Sequence, residues 1–135
     1  MNIDDKTLQA LAAAIKFREM RHELITSNLA NADTPGYKAK VLDFEQALSN
    51  AIDSDNQLKM NGGNEKHFAV GGGGFSMLTP QIYDDPNGDP GVDGNTVDAE
   101  KEIVKMNDNE IMYEAAVQLV NKKLAMKKYI LGSEK

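Results

Sequence analysis

The sequence predicts a mainly α-helical protein in which long N- and C-terminal helices pair as an elongated, coiled-coil-like unit, with a short third helix. An amphipathic helical pattern at each end of the 135 residues supports this fold class, and most glycines and prolines lie between the two patterns. We expect residues 1–53 and 95–135 to form one structural unit. Residues 54–94 are expected to form a flexible, acidic, Gly/Pro-rich loop region with at most a small β-hairpin.

The first helix is predicted to run from about Asp5, which can cap it, to about Ala32. Apolar residues recur along it at alternating spacings of three and four, which is the pattern of one helix face. Arg18 and His22 interrupt this seam, and we interpret them as partly buried side chains with polar tips; setting register against a partner helix is the alternative. The apolar seam residues are Leu8, Leu11, Ile15, Ile25 and Leu29.

The first helix is predicted to stop at the turn Thr34-Pro35-Gly36-Tyr37. Pro35 has a fixed φ and lacks an N–H, so the helix should end near Asp33. Gly36 can adopt the positive φ that a type II turn requires after a proline. If φ is positive there, a valine at this position should impair assembly, because β-branched residues avoid that region.

A short helix is predicted over about residues 43–53, after an extended segment at Lys38–Leu42. Asp43 can accept the first hydrogen bonds of this helix, and Gln46 three residues later completes a capping-box pattern. The apolar residues expected to anchor this helix are Phe44 and Leu48.

Residues 53–95 have the composition of a loop, since they hold nine of the eleven glycines and three of the four prolines. Two short β-like segments, His67–Val70 and Phe75–Tyr83, flank the run Gly71–Gly74. Pro80 restricts the second segment to an edge or a bend, and two strands alone are marginally stable. We therefore expect a loop with at most one hairpin.

The last helix is predicted from a cap at Asn95 or Thr96 to Gly132, with acidic residues in its opening turns and lysines in its final third. Its length roughly matches that of the first helix, which invites antiparallel pairing. A two-helix hairpin cannot bury all of its apolar surface, so the remainder should contact other subunits. The seam residues on this helix are Ile103, Met106, Tyr113, Val117, Val120, Leu124 and Leu131.

Composition restricts the classes of function. Net charge is −6, and the excess acid lies in residues 43–95, so no face offers the basic footprint that nucleic acid needs. There are no cysteines for a disulfide or a thiolate metal site. The polar, acidic start argues against a cleaved secretory signal, and the longest apolar run is too short to span a bilayer. We expect no cofactor, no small-molecule substrate and no enzymatic activity.

The turn also carries a family resemblance. The segment that matches is Asn28-Leu29-Ala30-Asn31-Ala32-Asp33-Thr34-Pro35-Gly36-Tyr37-Lys38-Ala39. With the Asp43-Phe44 pair that follows, it resembles the N-terminal motif of the bacterial flagellar rod, hook and hook-associated proteins, and the proximal rod members most. The last helix is similar to the closing helix of that family. The match covers roughly residues 8–52 and 94–131.

The resemblance implies a structural subunit of the flagellar basal body that is exported by the flagellar type III apparatus without a cleaved signal. It implies assembly through the terminal helices into the proximal part of the hollow, periplasm-spanning rod. The partners implied are other copies of the chain, neighbouring rod proteins, the membrane ring and the export gate. The residues expected to carry assembly and the motif are Asn28, Asn31, Asp33, Thr34, Pro35, Gly36, Tyr37, Asp43, Phe44 and Leu48.

Three alternatives stay open. Asp89, Asp93 and Glu100 fall at positions one, five and twelve of a calcium loop, but Gly91 at position three has no side-chain ligand, so an acidic turn is favoured and no metal site is expected. The chain could also be another rod subunit of the same family, or an adaptor that binds one partner helix in a groove. Copy number separates these, because a rod subunit should occur several times per basal body.

Overall fold

The computed structural model describes the backbone of residues 6–60, 75 and 78–132 and the side chains of residues 6–53, 75 and 78–132. This part of the chain contains three helices and one two-stranded sheet, and its long terminal helices confirm the predicted mainly α-helical class. The elements in chain order are α1 (Lys6–Ala30), β1 (Lys40–Asp43), α2 (Glu45–Met60), β2 (Gln81–Asp84) and α3 (Ala99–Gly132).

Helices α1 and α3 pack antiparallel along their length. Near the end of α1, Asn28 bonds Glu102 in the first turn of α3, whereas Glu19 in the middle of α1 bonds Tyr113 farther along α3. At about 1.5 Å per residue, Lys6 lies level with roughly residue 125 of α3, so the last turns of α3 pass the first described residue of α1.

The small sheet is not the predicted hairpin within the middle region. Strand β2 pairs antiparallel with β1, which belongs to the N-terminal part of the chain, and Val41 lies opposite Tyr83. Of the two predicted β-like segments, His67–Val70 lies outside the described residues. Pro80 precedes β2 directly, where its missing N–H takes no bond from the ladder. The predicted segment Phe75–Tyr83 overlaps β2 only at residues 81–83, and sequence periodicity could not identify the distant partner of this strand.

Two helix starts differ from the predicted ones. Helix α2 begins at Glu45, since Asp43 is held in the sheet opposite Gln81, and it continues to Met60, past the predicted end at residue 53. Helix α3 is capped by Asp98, whose Oδ1 accepts hydrogen bonds from the backbone N–H groups of Glu100 at 3.1 Å and Lys101 at 3.2 Å. The predicted caps were Asn95 or Thr96.

The buried apolar cluster lies where α1, β1 and α2 meet. Phe17, Leu42 and Phe44 form its centre, and the two phenyl rings are 5.3 Å apart between centroids. Leu42 comes from β1 and Phe44 from the residue joining β1 to α2, so the chain turns around this cluster. Partly buried residues complete it: Ala13, Met20, Leu24, Leu48 and Leu78.

Candidate assembly site

The fully buried amide of Asn28 joins three parts of the molecule at the end of α1. Its Oδ1 accepts hydrogen bonds from the Lys40 N–H at 3.0 Å and the Tyr37 hydroxyl at 3.2 Å. Its Nδ2 donates to the Lys40 carbonyl at 2.8 Å and to Oε2 of Glu102 at 3.0 Å. The side-chain amide therefore occupies the outer edge of β1 as the peptide group of a third strand would.

Glu102 extends this network into α3 and toward the loop after β2. Its buried carboxylate also accepts a hydrogen bond from Nζ of Lys105 at 2.8 Å. The same Nζ lies 3.3 Å from Oδ2 of Asp85. Burial of the Lys105 ammonium lowers its pKa, but the hydrogen bond and charge of Glu102, helped by Asp85, outweigh this and raise the pKa above its ordinary value. The buried negative charge of Glu102 is thus paired and hydrogen-bonded.

The loop before α3 closes the C-terminal end of α1. Nδ2 of the buried Asn95 side chain lies 2.8 to 2.9 Å from the carbonyl oxygens of Asn31, Ala32 and Thr34, in the turn that directly follows α1. The Gly36 N–H donates to the Asp93 carbonyl at 2.9 Å. This loop is therefore a tertiary cap on α1, supplied from about sixty residues away in the chain.

Gly36 in the predicted turn has φ of +73°, as the turn chemistry requires. Gly94 in the opposing loop has φ of +80°, and a Cβ built on it would lie 3.6 Å from the Gly36 Cα. The Thr96 N–H donates to the Tyr37 carbonyl at 3.0 Å, and the Thr96 hydroxyl accepts from the Ala39 N–H at 2.8 Å. These contacts fix the two segments against each other.

Arg21 on α1 covers the Phe44 ring and bonds the chain on both sides of it. Its guanidinium lies 4.5 Å from the ring centroid, donates to the Leu42 carbonyl at 2.8 Å, and forms a bidentate pair with Glu45 at 2.6 and 2.7 Å. Burial raises the pKa of the Glu45 carboxyl, but the hydrogen bond and charge of Arg21, with backbone hydrogen bonds, outweigh it and lower the pKa to about 2.

Farther along the pair, polar contacts again join α1 to α3. The buried Asn109 amide donates to the Arg18 carbonyl at 2.8 Å and accepts from the Arg18 guanidinium at 3.4 Å. The Tyr113 hydroxyl donates to Glu19 at 3.1 Å, and this hydrogen bond raises the tyrosine pKa. Arg18 is thus partly buried and reaches a neighbouring helix through its tip, whereas His22 is exposed.

The predicted seam residues fall into two groups in this structure. On α1, Ile25 is buried and the other four are half-buried. On α3, Met106, Tyr113, Val117 and Val120 are half-buried, whereas Ile103, Leu124 and Leu131 are exposed. The α3 residues buried in the pair are Glu102, Asn109 and Ala116, which lie beside the predicted face.

This offset has a physical reason. A search for apolar periodicity cannot select Glu102 and Asn109, because both are polar and become buried only through specific hydrogen bonds to α1. The contact face is therefore rotated toward these two residues. Ile103 lies on one flank of the face, and Leu131 lies past the first described residue of α1.

The motif residues divide into buried and exposed members. Asn28 and Phe44 are buried, Leu48 packs against the apolar cluster, and Tyr37 is half-buried. Asn31 donates its amide to the Ser27 carbonyl at 2.8 Å and accepts from the Thr34 hydroxyl at 3.2 Å. Asp43 is half-buried in β1, and the motif residues whose side chains are exposed are Asp33, Thr34 and Pro35.

Five contributors to this region were not selected from the sequence as site residues. Phe17 lies off the predicted α1 seam, although it is the only Phe, Tyr or Trp in that helix, and this signal could have found it. The other four are polar and depend on contacts across long sequence separations, which no local pattern reveals. They are Arg21, Asn95, Glu102 and Asn109.

In the acidic loop considered for calcium, Asp93 makes a hydrogen bond within the chain. Oδ1 of Asp93 accepts a hydrogen bond from the Asn95 N–H at 3.1 Å, and Glu100 lies in the first turn of α3. Across residues 6–60, 75 and 78–132, no three His, Cys, Asp or Glu side chains are grouped so that they could hold a metal ion. Within the same residues, no helix has the length and apolar character needed to span a bilayer.

Comparison with known proteins agrees with a structural role. Residues 18–38, which include the end of α1 and the turn, match the family described as Flagella basal body rod protein. A flagellar basal body rod protein FlgB of Cereibacter sphaeroides is 36% identical over 114 residues, covering 84% of each chain. FlgB of Aeromonas hydrophila is 33% identical over 121 residues, covering 90% of this chain and 89% of the relative.

A third relative, FlgB of Escherichia coli K12, is 30% identical over 125 residues, covering 87% of this chain and 86% of the relative. The geometry and these matches define a structural component of the bacterial flagellum and not an enzyme. The chain belongs to the FlgB family of flagellar basal body rod proteins. As a rod subunit of the basal body, it associates with other basal-body components.

Proposed function

We propose that this chain assembles through α1 and α3 with copies of itself and with neighbouring rod proteins, and so forms the proximal part of the hollow rod. In this proposal residues 1–53 and 95–135 act as one unit, joined by contacts such as Asn28–Glu102 and Asn95 with the end of α1. The residues that make these contacts hold the unit together, and the C-terminal end of α3 contacts neighbouring subunits.

The observation that carries this proposal is the position of the last seam residues. Leu131 is 66% exposed and lies past the first described residue of α1, and Leu124 near the level of Lys6 is 49% exposed. Apolar side chains that continue a helix seam without cover favour a neighbouring helix at that place. The seam residues Ile103 and Val117 on the flank of the pair extend the same surface.

We also propose that the chain is exported unfolded by the flagellar type III apparatus into the periplasmic space. There it contacts the membrane ring and the export gate as well as the rod. The buried apolar cluster centres on only Phe17, Leu42 and Phe44 among the described residues, which favours a low free energy of unfolding for the free subunit. Low stability of that kind would ease unfolding before export.

The proposal is tested by the double substitution Leu124→Asp with Leu131→Asp, expressed in a bacterium that lacks its own copy of this subunit. Both side chains are exposed, so the circular dichroism of the free chain should be unchanged. The variant should be absent from purified basal bodies and should not restore swimming. Val92→Asp, at a fully exposed loop position, is the matched control and should be incorporated normally.

Normal incorporation of the double variant would contradict assembly through this end of α3. Copy number is measured in the same basal-body preparations by quantitative mass spectrometry. Several copies per basal body agree with a rod subunit that contacts copies of itself. A single copy would instead favour an adaptor that binds one partner.

A further inference from the structure

A second apolar stripe runs along α3 on a face turned away from α1. Val104, Ile111, Leu119 and Met126 are each more than half exposed, and Ala115 between them is also exposed. At about 100° per residue these five positions project within roughly 80° of one another, and the middle of this arc lies about 100° from buried Ala116 and about 120° from buried Asn109. The stripe is therefore distinct from the seam that contacts α1.

The stripe reads almost the same in both directions from Ala115. Ile111 and Leu119 lie four residues to either side of it, and Val104 and Met126 lie eleven residues to either side. Two charged residues interrupt the stripe seven residues to either side, and they are opposite in sign: Asp108 and Lys122. Both are exposed.

We propose that this stripe binds the same stripe of a second copy, with the two α3 helices antiparallel and Ala115 at the two-fold axis. In that arrangement Ile111 faces Leu119 of the second copy and Val104 faces its Met126. Asp108 faces Lys122 of the second copy, and the symmetry forms this ion pair twice. Only antiparallel pairing brings these unlike charges together at equal distances from the centre.

The charge of the whole helix favours the same direction. Residues 98–114 carry six Asp or Glu against two Lys, whereas residues 115–132 carry four Lys and no acidic residue. Antiparallel pairing about Ala115 places each acidic half beside a basic half, and parallel pairing in register would place like charges together. The central position is small, which allows the two helices to approach closely there.

This inference does not rest on the proposed function. A two-fold interface uses the same patch on both copies and closes, so it cannot propagate into a rod. The pair is a state of the free subunit, and the surface proposed for rod assembly, at Leu124 and Leu131, lies on a different face. Loss of the pair with normal rods, or of rods with a normal pair, would separate the two proposals.

The test is sedimentation equilibrium of the full chain over a range of concentrations. We expect a monomer–dimer equilibrium that weakens with added salt. Asp108→Lys and Lys122→Asp should each weaken dimerisation at least tenfold, because each places two like-charge pairs in the interface. An equimolar mixture of the two variants should restore it, since every facing pair is then of unlike charge. The variant that carries both substitutions should also dimerise.

Matched controls and a direct measure of direction complete the experiment. Glu114→Lys and Lys128→Asp reverse exposed charges off the stripe and should leave the dimerisation constant within twofold. The chain lacks cysteine, so Ala115→Cys gives a single site, which should form an intermolecular disulfide rapidly under mild oxidation. Val104→Cys alone should not, but it should cross-link when mixed with Met126→Cys.

Circular dichroism of each variant verifies that it folds as the parent chain does. A chain that stays monomeric at all concentrations would overturn the inference. So would a dimer that ignores both charge reversals, a mixture that does not regain affinity, or rapid self-cross-linking of Val104→Cys, which would indicate parallel pairing.

Discussion

The two ends of the α1–α3 pair differ in the side chains that they bury and expose. Beside the turn, the residues most deeply buried between the helices are polar: Asn28 is 0% exposed and Glu102 2%. At the other end, α3 exposes several large apolar side chains, including Met126, Tyr129 and Leu131. One end is complete within the chain, whereas the other presents surface that a partner helix can cover.

This difference shows which contacts determine the register of α1 against α3. Every buried side-chain nitrogen or oxygen among the described residues has a hydrogen-bond partner, so the polar end is stable only in the one register that pairs all of them. An apolar seam tolerates sliding far better, since its contacts are not directional. The polar end therefore fixes the register of α1 against α3, and the apolar end is free to be completed by assembly.

Among the substitutions that test this comparison, Phe44→Ala should change the free energy of unfolding most. The substitution removes the ring that contacts Phe17 and lies beneath the Arg21 guanidinium. It should lower the free energy of unfolding by about 3 to 5 kcal/mol, as truncation of a buried phenylalanine does. Urea denaturation monitored by circular dichroism measures the change.

Leu131→Ala at the apolar end is the matched comparison. Because this side chain is mostly exposed, its truncation should alter the free energy of unfolding of the free subunit by less than about 0.5 kcal/mol. Equal losses for the two variants would mean that the two ends contribute alike to the stability of the free chain.

The second effect in size is expected from Asn28→Leu, which keeps the branching and the number of side-chain heavy atoms but replaces the amide by methyl groups. The Lys40 N–H and carbonyl and the Glu102 carboxylate would each lose a partner in a buried place. The free energy of unfolding should fall by about 2 to 3 kcal/mol. Asn107→Leu on the exposed surface of α3 is the control, and a comparable loss there would contradict the role of the network.

A smaller loss is expected from Gly36→Val. At φ of +73° a side chain is strained, and a Cβ at this position meets nothing within 4 Å, so the cost comes from the backbone alone. It should amount to about 1 to 2 kcal/mol. Gly132→Ala, at a helical glycine without positive φ and with open space around it, should cost nothing. If both variants unfold at the same urea concentration, strain at the turn is unimportant.

The sequence predicted the elements with local signals and missed those that depend on distant contacts. Helices α1 and α3, the turn at Gly36 and the burial of Phe44 followed from periodicity and turn chemistry. The pairing of β1 with β2 did not, since residues 44–80, which include α2 and the glycine-rich run, separate the two strands in the chain.

The same division holds within the candidate site. Asn28 was selected through its motif, but its partner Glu102 looked like an ordinary acidic residue near a helix N-terminus, where acids are expected in any case. Asn95 was assigned to α3 as a cap, although it closes α1 instead. The local sequence around a polar residue does not indicate whether its side chain will be buried.

The smallest effect is expected from a change of pH, which alters the charge of Glu45 in its ion pair with Arg21. This pair lies between the buried apolar cluster and solvent. The pKa of Glu45 in the folded chain is about 2, below the value near 4.5 in the unfolded chain. The stabilisation by this pair should be fully present above about pH 4.5 and be lost as pH falls toward 2. Because the Glu45 side chain is 53% exposed, solvent screens the pair, and we expect only about 1 kcal/mol.

This expectation is measured as the difference in free energy of unfolding between the parent chain and Glu45→Gln, at pH 7 and again below pH 2, where Glu45 is protonated in the folded chain as well. The difference should shrink toward zero at the lower pH, because both chains then carry a neutral group. Glu114→Gln, at an exposed position in the middle of α3, should show no such convergence. A constant difference for Glu45→Gln would mean that the charge of Glu45 does not stabilise the folded chain. The end of the helix pair beside the turn would then depend on its ring contacts and buried amides.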